Sequence, residues 1–127
     1  MDISQTIADL KRQPGFAENV GMILIHNGTV RGWSRQDRQG VIALEVSPDQ
    51  KKIEEIRQEF LKWPGIFDIK IEALAGTFAP GDDLLFLVVA GDIRENVKAA
   101  LAGLLDRVKA GPIKKREITS DQVRQSS

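Results

Sequence analysis

Residues 84–90 form an almost unbroken apolar run, Leu-Leu-Phe-Leu-Val-Val-Ala, which is typical of a buried strand in the centre of a sheet. A turn over residues 79–82 precedes the run, and a helix is predicted after it, as far as about Lys109. Asp92 and Glu95 have the spacing of a capping box at the start of that helix. A central strand of this kind requires further strands beside it and helices that cover it.

The N-terminal part of the chain is predicted to contain one helix and a β-hairpin. Residues 3–12 have helical apolar spacing, and Pro14-Gly15 ends the pattern. The apolar run 21–26 predicts a strand. Asn27-Gly28 has the composition of a type I′ turn, so residues 29–33 are expected to return as the second strand of a hairpin.

The middle of the chain is predicted to alternate strands with a helix. After a polar loop, residues 41–46 form a strand, and residues 66–73 form the next one. Between them, Ser47 is the expected N-cap of a helix, with Pro48 at its first position and Gln50 completing a capping box. The apolar face of this helix consists of Ile53, Ile56 and Phe60.

The order of these elements predicts an α+β fold of two layers, with helices packed on a mostly antiparallel sheet. The 127 residues are expected to form one domain. Within it, residues 1–19 are expected to be an N-terminal helix and connector, and residues 118–127 a polar tail.

Composition excludes several classes of site. The chain contains no cysteine, which rules out disulfides, thiol catalysis and cysteine-ligated metals. His26 is the single histidine, and we interpret it as structural. A pI near 6.6 argues against electrostatic binding of nucleic acid. No apolar run is long enough to span a membrane, and the N-terminus lacks a signal-peptide pattern, so a cytoplasmic protein is expected.

Positive charge is concentrated near the C-terminus. A stiff Gly-Pro step at 111–112 is followed by three consecutive cations, although the formal net charge of the chain is zero. Such a local cluster suits an anionic ligand, and Lys109 lies just before it. Arg31 follows a glycine-flanked strand end, where its guanidinium can fork onto a phosphate or carboxylate. Arg94 is placed in the first turn of the last helix. The alternatives are that Arg31 is a solvated strand residue, that Arg94 forms a surface salt bridge, and that the cations near the C-terminus belong to a solvated basic tail.

These motifs together resemble the large, catalytic subunit of molybdopterin synthase. Residues 28–31 resemble the family's Gly-x-Val-Arg element, and residues 80–89 resemble its Gly-Asp turn and apolar strand. Arg94 opens a helix, as in the family. Lys109 with residues 111–117 resembles its Lys…Pro-hydrophobic-Trp-Lys-Lys/Arg-Glu signature.

The resemblance implies an α/β-hammerhead fold and a sulfurtransferase. Two sulfurs would be installed on cyclic pyranopterin monophosphate, each from the thiocarboxylate of a ubiquitin-like small subunit, which forms molybdopterin during molybdenum cofactor biosynthesis. The resemblance also implies a homodimer within a heterotetramer, and neither a metal nor another cofactor.

The resemblance carries over to individual residues. Lys115 and Lys109 correspond to the family's catalytic lysines, and Arg31 and Arg94 to arginines that bind substrate. The neighbouring residues expected to bind substrate are Thr29, Val30, Lys114, Arg116 and Glu117. Ile93 stands where the family has a histidine.

Two other functions remain open. One is a non-catalytic relative that binds a pterin, another anionic ligand or a partner protein, which Ile93 favours. The other is a small α+β regulatory module that binds an anionic metabolite through Arg31 and the tail. Neither involves nucleic acid or a membrane.

Overall fold

The computed structural model describes residues 1–120, which form four helices and six strands. The helices are α1 (Ile3–Lys11), α2 (Phe16–Asn19), α3 (Gln50–Leu61) and α4 (Arg94–Lys109). The strands are β1 (Met22–Thr29), β2 (Val41–Pro48), β3 (Ile66–Ala73), β4 (Gly76–Phe78), β5 (Asp83–Gly91) and β6 (Ile113–Thr119). Within this range, no helix has the length and apolar character needed to cross a membrane.

The strands form two antiparallel sheets. The first has the order β1-β5-β3, so the apolar strand β5 is central, as predicted. The second has the order β4-β2-β6. The α+β class with mostly antiparallel sheets and packed helices is thereby confirmed.

The main core lies between the first sheet and helices α3 and α4. Alternate β5 side chains, including Leu87 and Val89, face it and are fully buried. Phe60 of α3 is 1% exposed, and a side chain on Gly103 of α4 would collide with its ring. The absence of a side chain at Gly103 therefore lets α3 and α4 approach closely. Val46 of β2 joins the same core, which extends to the second sheet.

The N-terminal segment packs on the opposite face of the first sheet. Asp68 and Glu72 of β3 lie opposite Ala90 and Phe86 of β5, so they share a face with them. Gln13 donates a hydrogen bond to Asp68 at 2.8 Å, and the N-terminal amine pairs with Glu72 at 2.8 Å. These contacts fix the segment over apolar β5 side chains.

The predicted hairpin at Asn27-Gly28 is wrong. Both residues lie inside β1, opposite Phe86 and Leu85 of β5, and neither has the positive φ that a type I′ turn requires. Pairing along the whole length of β5 provides ladder hydrogen bonds that a local turn would remove. After β1 the chain forms a loop, closed by an isolated bridge between Trp33 and Gly40, instead of a returning strand.

The predicted cap of the middle helix is displaced by two residues. Ser47 and Pro48 pair with β6, so β2 extends through both positions. Asp49 is the N-cap, and its side chain accepts a hydrogen bond from the backbone of Lys52 at 3.1 Å. Gln50 donates instead to the carbonyl of Ala73 at 2.8 Å.

The predicted capping box of the last helix is absent. Ile93 is the N-cap of α4 and makes no side-chain cap bond. Asp92 accepts from the backbone of Ile93 at 2.6 Å and from the Asn96 amide at 2.9 Å, while Glu95 pairs with Arg94 at 3.5 Å.

The basic C-terminal segment is a strand. β6 runs through Ile118 and Thr119, two residues that the sequence pattern assigns to a polar tail, because it pairs along β2. Residues 121–127 of that predicted tail lie outside the described part of the chain. The strand matters for the site because alternate residues of a strand face opposite sides.

Candidate active site

A cavity of about 620 Å³ opens where the end of β1, the loop after it, β2, the end of α4 and β6 meet. Part of its wall is apolar and is formed by Val30, Val41, Leu44 and Leu84. The charged side chains that line it are Arg31, Arg35, Lys109, Lys115 and Glu117. Four of these five side chains are cationic, so the cavity suits an anion even though the chain carries no net charge.

Lys109 and Lys115 reach this cavity from consecutive elements. Lys109 is the last residue of α4, and a short connection leads to β6, on which Ile113, Lys115 and Glu117 share one face. The pKa of Lys115 is lowered by its burial in the cavity and by the charges of Lys109 and Arg31, while Glu117 opposes the shift. A lysine with a lowered pKa is a better acid–base group near neutral pH.

Lys114 and Arg116 lie on the other face of β6. Arg116 forms two hydrogen bonds with the Glu45 carboxylate of β2, at 2.9 and 2.8 Å. Neither Lys114 nor Arg116 lines the cavity. The structure therefore separates the basic cluster of the sequence into one lysine that faces the cavity and two cations that face away.

The loop after β1 positions Arg31. Its guanidinium lies 4.8 Å from the centre of the Trp33 ring, and that of Arg38 lies 4.3 Å from the same ring. Two backbone hydrogen bonds fix Val30 at the start of the loop. Its N–H donates to the carbonyl of Asp82, and its carbonyl accepts from the N–H of Gly81, each at 2.9 Å. Thr29 and Val30 both line the cavity, as does Arg31.

Ser34 and Glu117 form a polar wall. The buried hydroxyl of Ser34 donates to Glu117 at 3.1 Å. This bond connects the loop to β6 and holds the carboxylate on the cavity side. No pattern in the sequence points to Ser34, since its partner is 83 positions away.

His26 also lines the cavity, a position that the sequence analysis, which favoured a structural role, did not predict. Its pKa is lowered by burial first and then by the charges of Lys109 and Lys115. Its Nε2 is buried and has no hydrogen-bond partner within residues 1–120. Alternation along β1, which places Leu24, His26 and Gly28 on one face, was the signal that could have revealed it.

Arg94 is not brought to the cavity. It lies at the start of α4, whereas Lys109 lies at the other end of the same helix. The side chain of Arg94 is 78% exposed and pairs with the adjacent Glu95.

A narrow slot of about 30 Å³ shares part of the lining of the cavity. Gly28, Thr29, Lys109 and Lys115 border both spaces. A Cβ on Gly28 would lie 2.9 Å from His26 Nε2, so any larger residue would intrude at this point.

The lowered pKa of His26 predicts a loss of stability in mild acid. Above the unfolded-state pKa of about 6.5, the imidazole is neutral in both states and contributes nothing. As the pH falls below that value, the unfolded chain binds a proton that the folded chain resists, so the free energy of unfolding decreases until the folded pKa is passed. Urea titrations at several pH values in this range should show that the free energy of unfolding decreases more steeply with falling pH for the wild type than for His26→Gln. Parallel curves would contradict the prediction.

The fold and the cavity define an α+β protein with a cationic site built from the ends of several elements. A family model described as MoaE protein matches residues 1–111, and the chain belongs to this family. Relatives in the family are molybdopterin synthase subunits, and the family gives the chain a role in molybdenum cofactor biosynthesis. The resemblance inferred from the sequence is thereby confirmed. The match includes Lys109 and ends before Lys115.

Solved structures agree with this assignment. The chain is 27% identical to a molybdopterin synthase from Staphylococcus aureus, with a TM-score of 0.69 over 80% of this chain and 77% of that one. It is 26% identical to a molybdopterin biosynthesis MoaE protein from Burkholderia ambifaria, with a TM-score of 0.73 over 95% and 79% of the two chains.

A complex of subunits 1 and 2 of molybdopterin-converting factor from Helicobacter pylori shares the fold, with 17% identity and a TM-score of 0.68 over 95% of this chain and 81% of that one. Comparison with curated protein sequences finds no match.

Proposed function

We propose that this protein is the catalytic subunit of a molybdopterin synthase. It transfers sulfur from a thiocarboxylated ubiquitin-like small subunit to cyclic pyranopterin monophosphate, forming molybdopterin. The observation that carries the proposal is the meeting of Lys109, Lys115 and Arg31 in one cavity of a MoaE-family chain. A cytoplasmic location accords with this role.

The charges of the cavity suit the proposed substrate. The phosphate of cyclic pyranopterin monophosphate is an anion, and Arg31 can donate two parallel hydrogen bonds to it. Lys109 adds a second positive charge at the end of α4. The apolar wall around Val41 and Leu44 offers a surface for the pterin ring.

Sulfur transfer requires proton donors and acceptors, and the two lysines are the groups proposed to supply them. Lys115 is the better acid–base candidate because its pKa is lowered by burial and by neighbouring cations. Each transfer breaks the C–S bond of the thiocarboxylate, and water supplies the oxygen that leaves a carboxylate on the small subunit. Glu117, held by Ser34, keeps a counter-charge beside Lys115.

The cavity that Gly28 borders is the proposed entry for the small subunit's tail. A thiocarboxylate on a C-terminal glycine needs a passage without bulky side chains, and the cavity of about 620 Å³ is lined by Gly28 and by both lysines. The Helicobacter pylori neighbour is a complex of two subunits, which is consistent with such a partner. The assembly we propose is a homodimer of this chain with two small subunits.

The proposed substrate-binding role of Arg94 requires a second copy of the chain. Within one chain Arg94 lies at the far end of α4 from Lys109. A dimer that places α4's start against the partner's cavity would supply it, and Ile93, 54% exposed, would be covered in the same contact.

Reconstitution tests the proposal. The protein is mixed with a thiocarboxylated small subunit and cyclic pyranopterin monophosphate, and dithiolene formation is measured. Product at a rate far above that of the small subunit alone supports the synthase. Tight binding of the small subunit without product would favour a non-catalytic relative, for which the apolar Ile93 is the supporting observation, and Ile93→His would be the next variant.

Arg31→Ala should weaken anion binding, and Arg116→Ala should not. Both variants remove one guanidinium, but only Arg31 lines the cavity. Loss of charged hydrogen bonds predicts a sulfate dissociation constant raised about tenfold or more for Arg31→Ala. Isothermal titration calorimetry with sulfate measures it, and equal effects of the two variants would place the anion elsewhere.

A further inference from the structure

His26 occupies an unusual position among the residues of the cavity. Its imidazole borders the space, and its Nε2 is buried without a hydrogen-bond partner within the described residues. Whichever tautomer the neutral ring adopts, this nitrogen keeps either an unused lone pair or an unused N–H. Buried polar atoms are normally paired, so this nitrogen is a candidate to pair with a ligand of the cavity.

The surroundings of His26 are cationic on one side and apolar on the others. Lys109 of α4 and Lys115 of β6 act on it directly by their charges. Arg31 and Arg35 of the loop line the same cavity, and Glu117 of β6 is the one carboxylate among its described lining residues. Strand β5 presents Leu87 opposite His26, and β2 contributes Val41 and Leu44.

We propose that His26 is an additional cation of the anion site, one that takes up its proton when the anion binds. That the ligand of this cavity is an anion rests on the function proposed above. Lys109 and Lys115 repel a third positive charge beside them. A bound anion would cancel that repulsion and would offer an acceptor for an imidazolium N–H. The proton comes from solvent, and no bond between heavy atoms changes.

Linkage gives this proposal a measurable consequence. If anion binding favours protonation of His26, then protonation favours anion binding by the same factor. The affinity for an anion that does not itself titrate must therefore increase as the pH falls through the range of the imidazole. The lowered pKa of His26 is in keeping with a proton that is withheld until an anion arrives.

Calorimetric titration with sulfate provides the test, because sulfate keeps its charge throughout the relevant range. For the wild type, the dissociation constant should decrease about five- to tenfold between about pH 7.5 and about pH 5.5. His26→Gln keeps the lysines and Glu117 but cannot gain the charge, and its dissociation constant should change less than about twofold over the same range. Thermal unfolding at about pH 8, where His26 is neutral in the wild type, verifies that the variant folds.

NMR supplies an independent readout. As the only histidine of the chain, His26 gives one set of imidazole signals. Saturating sulfate should raise its titration midpoint in the wild type. An unshifted midpoint, or a pH dependence that persists in His26→Gln, would overturn the proposal.

These outcomes separate the proposal from the proposed function. Sulfate binding with proton uptake in a protein that makes no dithiolene would support the proposed role of His26 and refute the proposed synthase activity. Dithiolene formation with pH-independent sulfate binding would support the synthase activity and refute the role of His26. No sulfate binding at any pH would refute the anion site itself.

Discussion

Lys115→Ala is expected to reduce dithiolene formation at least about 100-fold, the lower range for the loss of a positioned acid–base group. Lys115 faces the cavity from β6, and its pKa is lowered there by burial and by Lys109 and Arg31. Alanine keeps the backbone pairing of Lys115 with Val46. The loss should therefore appear in the turnover rate with the free energy of unfolding nearly unchanged.

The matched control is the neighbouring lysine. Lys114 lies on β6 beside Lys115 and pairs with Ser47 of β2, but its side chain faces away from the cavity. Lys114→Ala therefore removes the same charge from the opposite side of the strand. Its effect on the rate should be within about twofold, as for surface substitutions. Single-turnover assays of both variants with saturating small subunit provide the comparison. Equal losses would mean that general positive charge, and not the position of Lys115, supports the reaction.

Phe60→Ala should lower the free energy of unfolding by about 3–5 kcal/mol, the usual cost of deleting a buried aromatic ring. Phe60 is 1% exposed and stacks on Trp63 with ring centres 4.4 Å apart. It also fills the space left by Gly103, so its removal opens a cavity between α3 and α4. Urea unfolding followed by circular dichroism gives the difference.

Phe60→Leu distinguishes volume from ring contact. Leucine refills much of the space, so the expected cost falls to about 1–2 kcal/mol. If both variants unfold at the wild-type urea concentration, the α3–α4 contact does not contribute to stability in the way the structure implies.

Long apolar patterns predicted most of the fold. The run 84–90 required a central strand, and β5 is one. The spacing of Ile53, Ile56 and Phe60 identified the buried face of α3. These features depend on the burial of many apolar side chains, which supplies most of the favourable free energy of folding and is visible in one sequence.

Local signals were less reliable where long-range pairing competed with them. Asn27-Gly28 favours a turn, yet pairing with β5 keeps both residues in a strand. Ser47 is a good N-cap residue, yet pairing with β6 moves the start of the helix to Asp49. A sequence displays the turn and cap preferences but not the partner strand that overrides them.

The candidate site was predictable in part for the same reason. Lys109, Lys115 and Arg31 were singled out from charge, spacing and resemblance, and the structure places all three at one cavity. The distinction between Lys115 and Lys114 required β6, which the sequence suggested only as a turn and tail. The position of His26 beside both lysines required the course of β1 past Gly28.

A crystal structure of the protein with cyclic pyranopterin monophosphate tests the central claim most directly. We expect density for the ligand in the cavity, with its phosphate within hydrogen-bond distance of Arg31 or Lys109 and its pterin ring beside Lys115. A ligand bound on the opposite face of β6, beside Lys114 and Arg116, or at the exposed start of α4 without a partner cavity, would contradict the claim.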